Sequence, residues 1–203
     1  MSSLLRTKPW ALFAFLTMPI VFQILVITDG VLAFASDAGP EQDQMVLDSM
    51  IFLALLIVSA IISMIILECW FYALGTRLYT KLPADHQLKI GRFQFAFFFP
   101  IFYIVGVLCF IWFVSNIEPV LFFMIIPLHF VAMACMFYVI YFIAKSLKTV
   151  ELHRRVHFGE YAGEFFLLWF YVIGVWIIQP RINKIFAQEE RSEYGGPVDR
   201  YMK

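Results

Sequence analysis

The chain has 203 residues, of which 62% are hydrophobic and 15% are charged, and its formal net charge is zero. Soluble domains carry about 45–50% apolar and about 25% charged residues, and a soluble fold of this length would leave large apolar patches exposed to water. The composition therefore argues against an ordinary soluble protein, and the zero net charge gives no reason to expect nucleic acid as a partner.

Four apolar runs are long enough to cross a bilayer at a helical rise of about 1.5 Å per residue. A polar loop over residues 29–48 follows the first run, and Gly75 marks the expected end of the second helix. A cleaved signal peptide is the rival interpretation of the first run, because residues 33–35 resemble a cleavage site. The sequence predicts an all-α, polytopic transmembrane helical bundle with spans at residues 10–27, 50–74, 95–114 and 120–144.

The Lys and Arg residues before residue 156 all fall on one side of this predicted bundle. Two Lys or Arg residues precede the first span, four lie between spans two and three, and four lie in residues 145–155. The loop over residues 29–48 carries five acidic residues and no basic one, and residues 115–119 carry no Lys or Arg. Because cytoplasmic loops are enriched in Lys and Arg, this pattern predicts a cytoplasmic N-terminus.

A fifth apolar run, residues 165–178, is only about 21 Å long as a helix and is short for a span. Crossing would place five further basic residues outside, whereas a re-entrant or interfacial segment would keep all of them on the cytoplasmic side. Continuous apolarity favours a short fifth span over residues 163–179, and both alternatives remain open. Residues 1–190 are predicted to form one domain, followed by a flexible polar tail at 191–203.

Ionisable groups inside a membrane are costly, so they are candidates for function. Glu68 lies in the second predicted span and His129 near the middle of the fourth, with Gln23 of the first span the expected neighbour of His129. These side chains would carry a proton or cation path only if water joined them. The alternatives are an imidazole hydrogen-bonded between helices and a Glu68 carboxylate that reaches the headgroups.

A second constellation follows the fourth span. His153, His157, Glu160 and Glu164 have the spacing i, i+4, i+7, i+11, which would line one face of a continuous helix. Two histidines at i, i+4 with nearby carboxylates can bind a divalent metal. The competing interpretation is a solvated face beside the headgroups, and we predict no resident cofactor.

Two stretches carry a resemblance. Lys8, Pro9 and Trp10 followed by Pro19 and Gln23, and above all the sequence GEFFLLWFYVIGVWIIQPRINKI at 163–185, resemble small bacterial multi-pass membrane proteins of unassigned function. The resemblance covers about a quarter of the chain. It implies the bacterial inner membrane as location and implies no activity and no functional residues.

Three hypotheses on function follow from these patterns. The first is a non-enzymatic accessory or interaction subunit, whose partners are the lipid bilayer and other membrane proteins or further copies of the chain. The second is a small oligomeric transporter or channel that uses Gln23, Glu68 and His129. The third is a metal-dependent membrane enzyme that uses His153, His157, Glu160 and Glu164, although no GxSxG, HExxH or P-loop motif accompanies them.

Overall fold

A computed structural model describes residues 8–35, 42–83, 85, 88–113 and 119–194. The described residues form helices and no strand. The helices are α1 Pro9–Ala35, α2 Gln42–Tyr79, α3 Ile90–Phe113, α4 Pro119–Leu152, α5 Phe158–Trp169 and α6 Tyr171–Tyr194. Four of them are long and apolar enough to cross a membrane, over Pro9–Leu32, Met50–Tyr79, Ile90–Phe110 and Ile125–Leu152. The predicted all-α membrane bundle is confirmed.

The helices extend beyond several predicted boundaries. Gly30 does not end the first helix, because one glycine costs a helix only about 1 kcal/mol and α1 continues to Ala35. Residues 29–35 and 42–48 of the predicted loop are therefore helical, and residues 36–41 lie outside the described residues. At the other end of α2, Gly75 is not a helix end either, since the helix continues to Tyr79.

Gly75 instead permits a close approach between α2 and α3. A Cβ at this position would overlap the ring of Phe93, which is fully buried. The same ring stacks on Phe142 of α4 at 4.6 Å between centroids. The absence of a side chain at Gly75 thus lets three helices share one aromatic contact.

The buried core lies at one end of the bundle. α1 packs along α2, and α3 packs along α4, so the spans form two helical hairpins. Buried side chains concentrate in the first turns of α1 and α3 and in the last turns of α2 and α4. The opposite halves of these helices carry mostly exposed apolar side chains, as expected for segments that face lipid.

The fifth apolar run folds back on itself. α5 ends at Trp169, Phe170 leaves helical geometry with φ −93° and ψ 59°, and α6 begins at Tyr171. In one straight helix, Glu164 and Arg181 would lie about 25 Å apart, yet Arg181 donates a hydrogen bond to the Glu164 carboxylate at 2.8 Å. α5 and α6 therefore form a hairpin, which we call the re-entrant hairpin, and residues 163–179 are not one straight helix. Whether this segment crosses the bilayer stays a prediction, with re-entry the outcome that the hairpin favours.

Aromatic contacts fix how far this hairpin enters the bundle. Trp169, one residue before the bend, stacks on Phe137 at 4.4 Å between ring centroids. Phe137 lies near the middle of the Ile125–Leu152 span, so the bend reaches about half of its length. Phe13 of α1 contacts Trp176 of α6 at 5.1 Å on the other side of the hairpin. The hairpin is thus wedged between α4 and α1.

Beyond the hairpin, α6 continues as a polar helix. It extends to Tyr194, so the first four residues of the predicted flexible tail, 191–194, are helical. Residues 195–203 of that predicted tail lie outside the described residues.

Candidate functional site

Four charged side chains from three helices meet at the open end of the re-entrant hairpin. We call them the ionic cluster: Lys148 and Glu151 of α4, Glu164 of α5 and Arg181 of α6. The side chain of Glu164 is only 7% exposed, and the other three are between 22% and 27% exposed. The cluster joins α5 to α6 and holds both helices against the end of α4.

Arg181 is the centre of this cluster. Its Nε donates to Glu151 Oε1 at 2.7 Å, and its Nη2 donates to the second oxygen of the same carboxylate. Nη2 also donates to Glu164 Oε1 at 2.8 Å. Lys148 donates to that same oxygen at 3.1 Å and lies 3.9 Å from Glu151. A planar guanidinium suits this task because it binds a carboxylate with two parallel bonds and still offers further donors.

The hydrogen bonds of the cluster favour the charged forms of Glu164 and Arg181. Burial alone would raise the pKa of Glu164, but hydrogen bonds from Arg181 and Lys148 outweigh it and leave the pKa below the ordinary 4.5. The two carboxylates in turn raise the pKa of Arg181. The arrangement is an ion-pair network that fixes helix positions, and its permanent guanidinium is unsuited to proton transfer.

This lowered pKa predicts a dependence of stability on pH. A carboxyl group with a folded pKa below its unfolded value stabilises the fold above the unfolded pKa, and loses that contribution as the pH falls through the folded pKa. Unfolding in detergent, measured at pH 7 and at steps below pH 4.5, should therefore show that the free energy of unfolding decreases as the pH is lowered. The E164Q variant should show a weaker dependence, and an unchanged dependence would contradict the assignment.

A buried hydrogen-bond chain supports α6 from the α2 side. Trp70 and Gln179 are both fully buried, and the indole Nε1 of Trp70 donates to Gln179 Oε1 at 3.1 Å. Gln179 Nε2 donates in turn to Asn183 Oδ1 at 3.1 Å. These hydrogen bonds give the buried indole N–H an acceptor that it would otherwise lack, and they fix the rotation of α6 about its own axis.

The four residues proposed to bind a metal do not line one helix face. His153 ends α4 in the left-handed region at φ 50°, which stops the helix, and His157 is the N-cap of the next helix. Glu160 accepts a hydrogen bond from the backbone N–H of His157 at 2.9 Å and pairs with Arg154. Glu164 belongs to the ionic cluster. The continuous-face prediction was wrong, and the described part of the chain contains no group of three His, Cys, Asp or Glu side chains placed to hold a metal.

Glu160 locks the loop between α4 and α5. The hydrogen bond from Arg154, followed by the one from the His157 backbone, lowers the pKa of Glu160 below its ordinary value. Because the side chain caps the first turn of α5, it fixes the point from which the hairpin enters the bundle.

The intramembrane candidates lie apart. His129 is exposed, and its Nδ1 lies 3.4 Å from the hydroxyl of Tyr103 on α3, a polar neighbour other than the expected Gln23. Gln23 is half-buried on α1, and Glu68 is half-buried on α2. α1 and α2 form one hairpin and α3 and α4 the other, so the described geometry joins His129 to Tyr103 and to neither of the other two.

The chain was also compared with protein-family models, curated proteins and solved structures. None of them matches. The resemblance to small bacterial membrane proteins remains a prediction.

Sequence reasoning singled out only Glu164 of the four cluster residues. The other three are at positions 148, 151 and 181, and no helical spacing relates Glu164 or Arg181 to the Lys148–Glu151 pair of α4. One signal was present, since Glu164 and Arg181 bracket an apolar run too short to cross a bilayer. Opposite charges at the two ends of such a run indicate a hairpin whose ends meet.

Proposed function

We propose that the protein is a non-enzymatic accessory or interaction subunit of the bacterial inner membrane, with its N-terminus in the cytoplasm. Its task in this proposal is to pair with another membrane helix through the outer half of α2. The distribution of Lys and Arg supports the orientation.

The exposed surface of α2 carries this proposal. Phe52 of α2 lies against Gly30 of α1, and Ser59 is buried, whereas the remaining directions around this half of α2 are occupied by exposed apolar residues. Ten large side chains between residues 50 and 65 are exposed: Met50, Ile51, Leu53, Leu55, Ile57, Val58, Ile61, Ile62, Met64 and Ile65. A helix covered on one side only has room for a second helix beside lipid, and packing against it would add van der Waals contacts along the full outer half.

The pairing of the charged side chains supports a structural role over an enzymatic one. Glu151 and Glu164 are held by Arg181, and Glu160 is held by Arg154. The hydrogen bonds lower the pKa of Glu160 and Glu164 below the ordinary value, whereas general acid–base catalysis favours groups whose pKa lies near the working pH.

Photo-cross-linking in native membranes tests the proposal. A photoreactive residue in place of Ile61 should give a discrete protein adduct, and the same residue in place of Phe102 serves as a lipid-exposed control on α3. Two differently tagged copies of the chain separate self-association from a different partner protein. Only lipid adducts from both Ile61 and neighbouring Ile57 would contradict the proposal.

A further inference from the structure

A groove lies on the surface between α3 and α4, at the end of the bundle that holds the buried core. It has a volume of about 470 Å³. Its lining includes the charged side chain of Arg92 and the hydroxyl-bearing side chain of Tyr138. The rest of the lining is mostly apolar and includes Ala96, Val131 and Ala134. We call it the α3–α4 groove.

Two basic side chains beside this groove have no acidic partner. Arg92 of α3 is exposed and Lys145 of α4 is half-buried. Neither of them forms an ion pair with a carboxylate in the described ranges. Lys145 donates a hydrogen bond to the hydroxyl of Tyr141 at 2.9 Å and lies 5.3 Å from the centre of the same ring. A neutral phenol leaves the charge of Lys145 uncompensated.

The carboxylates at the ends of α4 and α5 bind other cations. Glu151 and Glu164 belong to the ionic cluster, and Glu160 pairs with Arg154. Both Arg92 and Lys145 act electrostatically on the hydroxyl of Tyr138, and no described carboxylate does so. The polar end of the α3–α4 groove therefore carries two uncompensated positive charges and attracts an anion.

Tyr138 adds a free donor to this end of the groove. The side chain is half-buried, and its hydroxyl has no hydrogen-bond partner among the described residues. Tyr138, Tyr141 and Lys145 have the spacing i, i+3, i+7, so they share one face of α4. An oxyanion bound between Arg92 and Lys145 would supply the acceptor that the Tyr138 hydroxyl lacks.

The depth of the two cations identifies the source of this oxyanion. The stack of Phe93 on Phe142 brings α3 and α4 into register, so Arg92 and Lys145 lie within three residues of the same level. Arg92 is the third residue of the Ile90–Phe110 span, and Lys145 is the first charged residue after the apolar part of α4. Basic residues at the ends of spans lie at the level of the lipid headgroups.

The apolar part of the groove continues from this level toward the middle of the membrane. Val131 precedes Tyr138 by seven residues of α4, so it lies about 10 Å deeper. Val131 also lines a second apolar cavity of about 620 Å³, beside Phe102 of α3. An acyl chain fits this continuous apolar seam, whereas a free phosphate ion would use only its charged end.

We propose that the α3–α4 groove binds an anionic phospholipid. Arg92 and Lys145 contact the phosphate oxygens, and the hydroxyl of Tyr138 donates a hydrogen bond to one of them. Ala96 and Val131 contact an acyl chain. Two uncompensated cations favour a headgroup with a net negative charge over a zwitterionic one, as in other basic pockets between membrane helices. The site is independent of the outer α2 surface, so neither proposal depends on the other.

Native mass spectrometry of the full chain in detergent tests this site. The probes are phosphatidylglycerol and phosphatidylcholine with identical acyl chains, and inorganic phosphate is the competitor. The R92Q/K145Q variant removes both charges from the site. R77Q/K184Q is the matched control, because it removes one exposed Arg and one exposed Lys at the same end of the bundle, outside the lining of the groove. Circular dichroism confirms that each variant is folded.

The wild type and R77Q/K184Q should bind phosphatidylglycerol equally, and more tightly than phosphatidylcholine. R92Q/K145Q should bind phosphatidylglycerol about 25-fold more weakly, at about fivefold for each charge. If this double variant does not fold, R92Q alone should show the fivefold loss, because Arg92 is exposed and forms no ion pair with a described residue.

Two results would contradict the proposal. Equal binding of phosphatidylglycerol by R92Q/K145Q and R77Q/K184Q would overturn the site, because the lipid would then respond to net charge or to neither pair. Full displacement of phosphatidylglycerol by millimolar inorganic phosphate would overturn the lipid as the ligand of the groove.

Discussion

Replacement of Arg181 by alanine is expected to lower the free energy of unfolding by about 3 kcal/mol in detergent. The substitution removes the three hydrogen bonds that Arg181 donates to the carboxylates of Glu151 and Glu164. Glu164 is then left with Lys148 as its only cation partner in the cluster, although its side chain is only 7% exposed. A buried carboxylate that loses a partner keeps its full desolvation cost, which is why the loss exceeds the net value of the pair.

Two further variants separate the network from general effects. R181K keeps the charge but cannot bind a carboxylate with two parallel bonds, so it should fall between the wild type and R181A. K184A removes an exposed cation three residues along the same helix and should change stability by less than about 0.5 kcal/mol. Chemical or thermal unfolding measures all three, and an R181A variant as stable as K184A would contradict the structural role of the cluster.

Gly174→Ala should also destabilise the protein by about 3 kcal/mol, because it introduces a clash at the bend of the hairpin. A Cβ on Gly174 would overlap the carbonyl oxygen of Leu167. The obstacle is backbone, so no change of rotamer relieves it. Phe170 accepts hydrogen bonds from the N–H groups of Ile173 and Gly174, at 3.0 and 2.9 Å, and these hold the first turn of α6 against the end of α5.

Gly163→Ala is the matched control for this substitution. Gly163 lies on the exposed face of α5, and a Cβ there would meet nothing within 4 Å. Alanine in this helix interior should stabilise the protein by about 0.5 to 1 kcal/mol. Both variants are unfolded under the same conditions. A loss of stability in Gly174→Ala together with a gain in Gly163→Ala is expected only if the chain bends sharply between the two glycines.

The sequence was sufficient to predict the four spans because hydropathy is a local sum over each segment. The sequence was insufficient to predict the helix ends. Glycine commonly ends a helix, yet Gly30 lies inside α1 and Gly75 inside α2. At Gly75 the deciding factor is the ring of Phe93, which arrives from another helix. Local patterns cannot contain that information.

The re-entrant hairpin shows the same limit more sharply. Residues 165–178 are apolar throughout, and no residue among them marks a turn as strongly as proline would. The bend at Phe170 depends on the approach of Gly174 to Leu167 and on the meeting of Glu164 with Arg181. Both contacts exist only in the folded chain, so spacing along the sequence left crossing and re-entry open.

The histidine pattern failed for a related reason. His153 and His157 have metal-binding spacing only if the helix continues through them. Here α4 ends at Leu152, and His153 adopts a positive φ that histidine tolerates better than most residues. Arg154 and Glu160 then build the loop that separates the two histidines.

The side of the membrane that holds the C-terminus tests the hairpin most directly. A reporter that is active only in the cytoplasm is fused after Lys203, and control fusions are placed within residues 36–41 and at Asp85. The hairpin predicts that the Lys203 fusion behaves like the Asp85 fusion and opposite to the 36–41 fusion. A Lys203 fusion that behaves like the 36–41 fusion would mean that residues 165–178 cross the bilayer, and it would contradict the hairpin and the ionic cluster together.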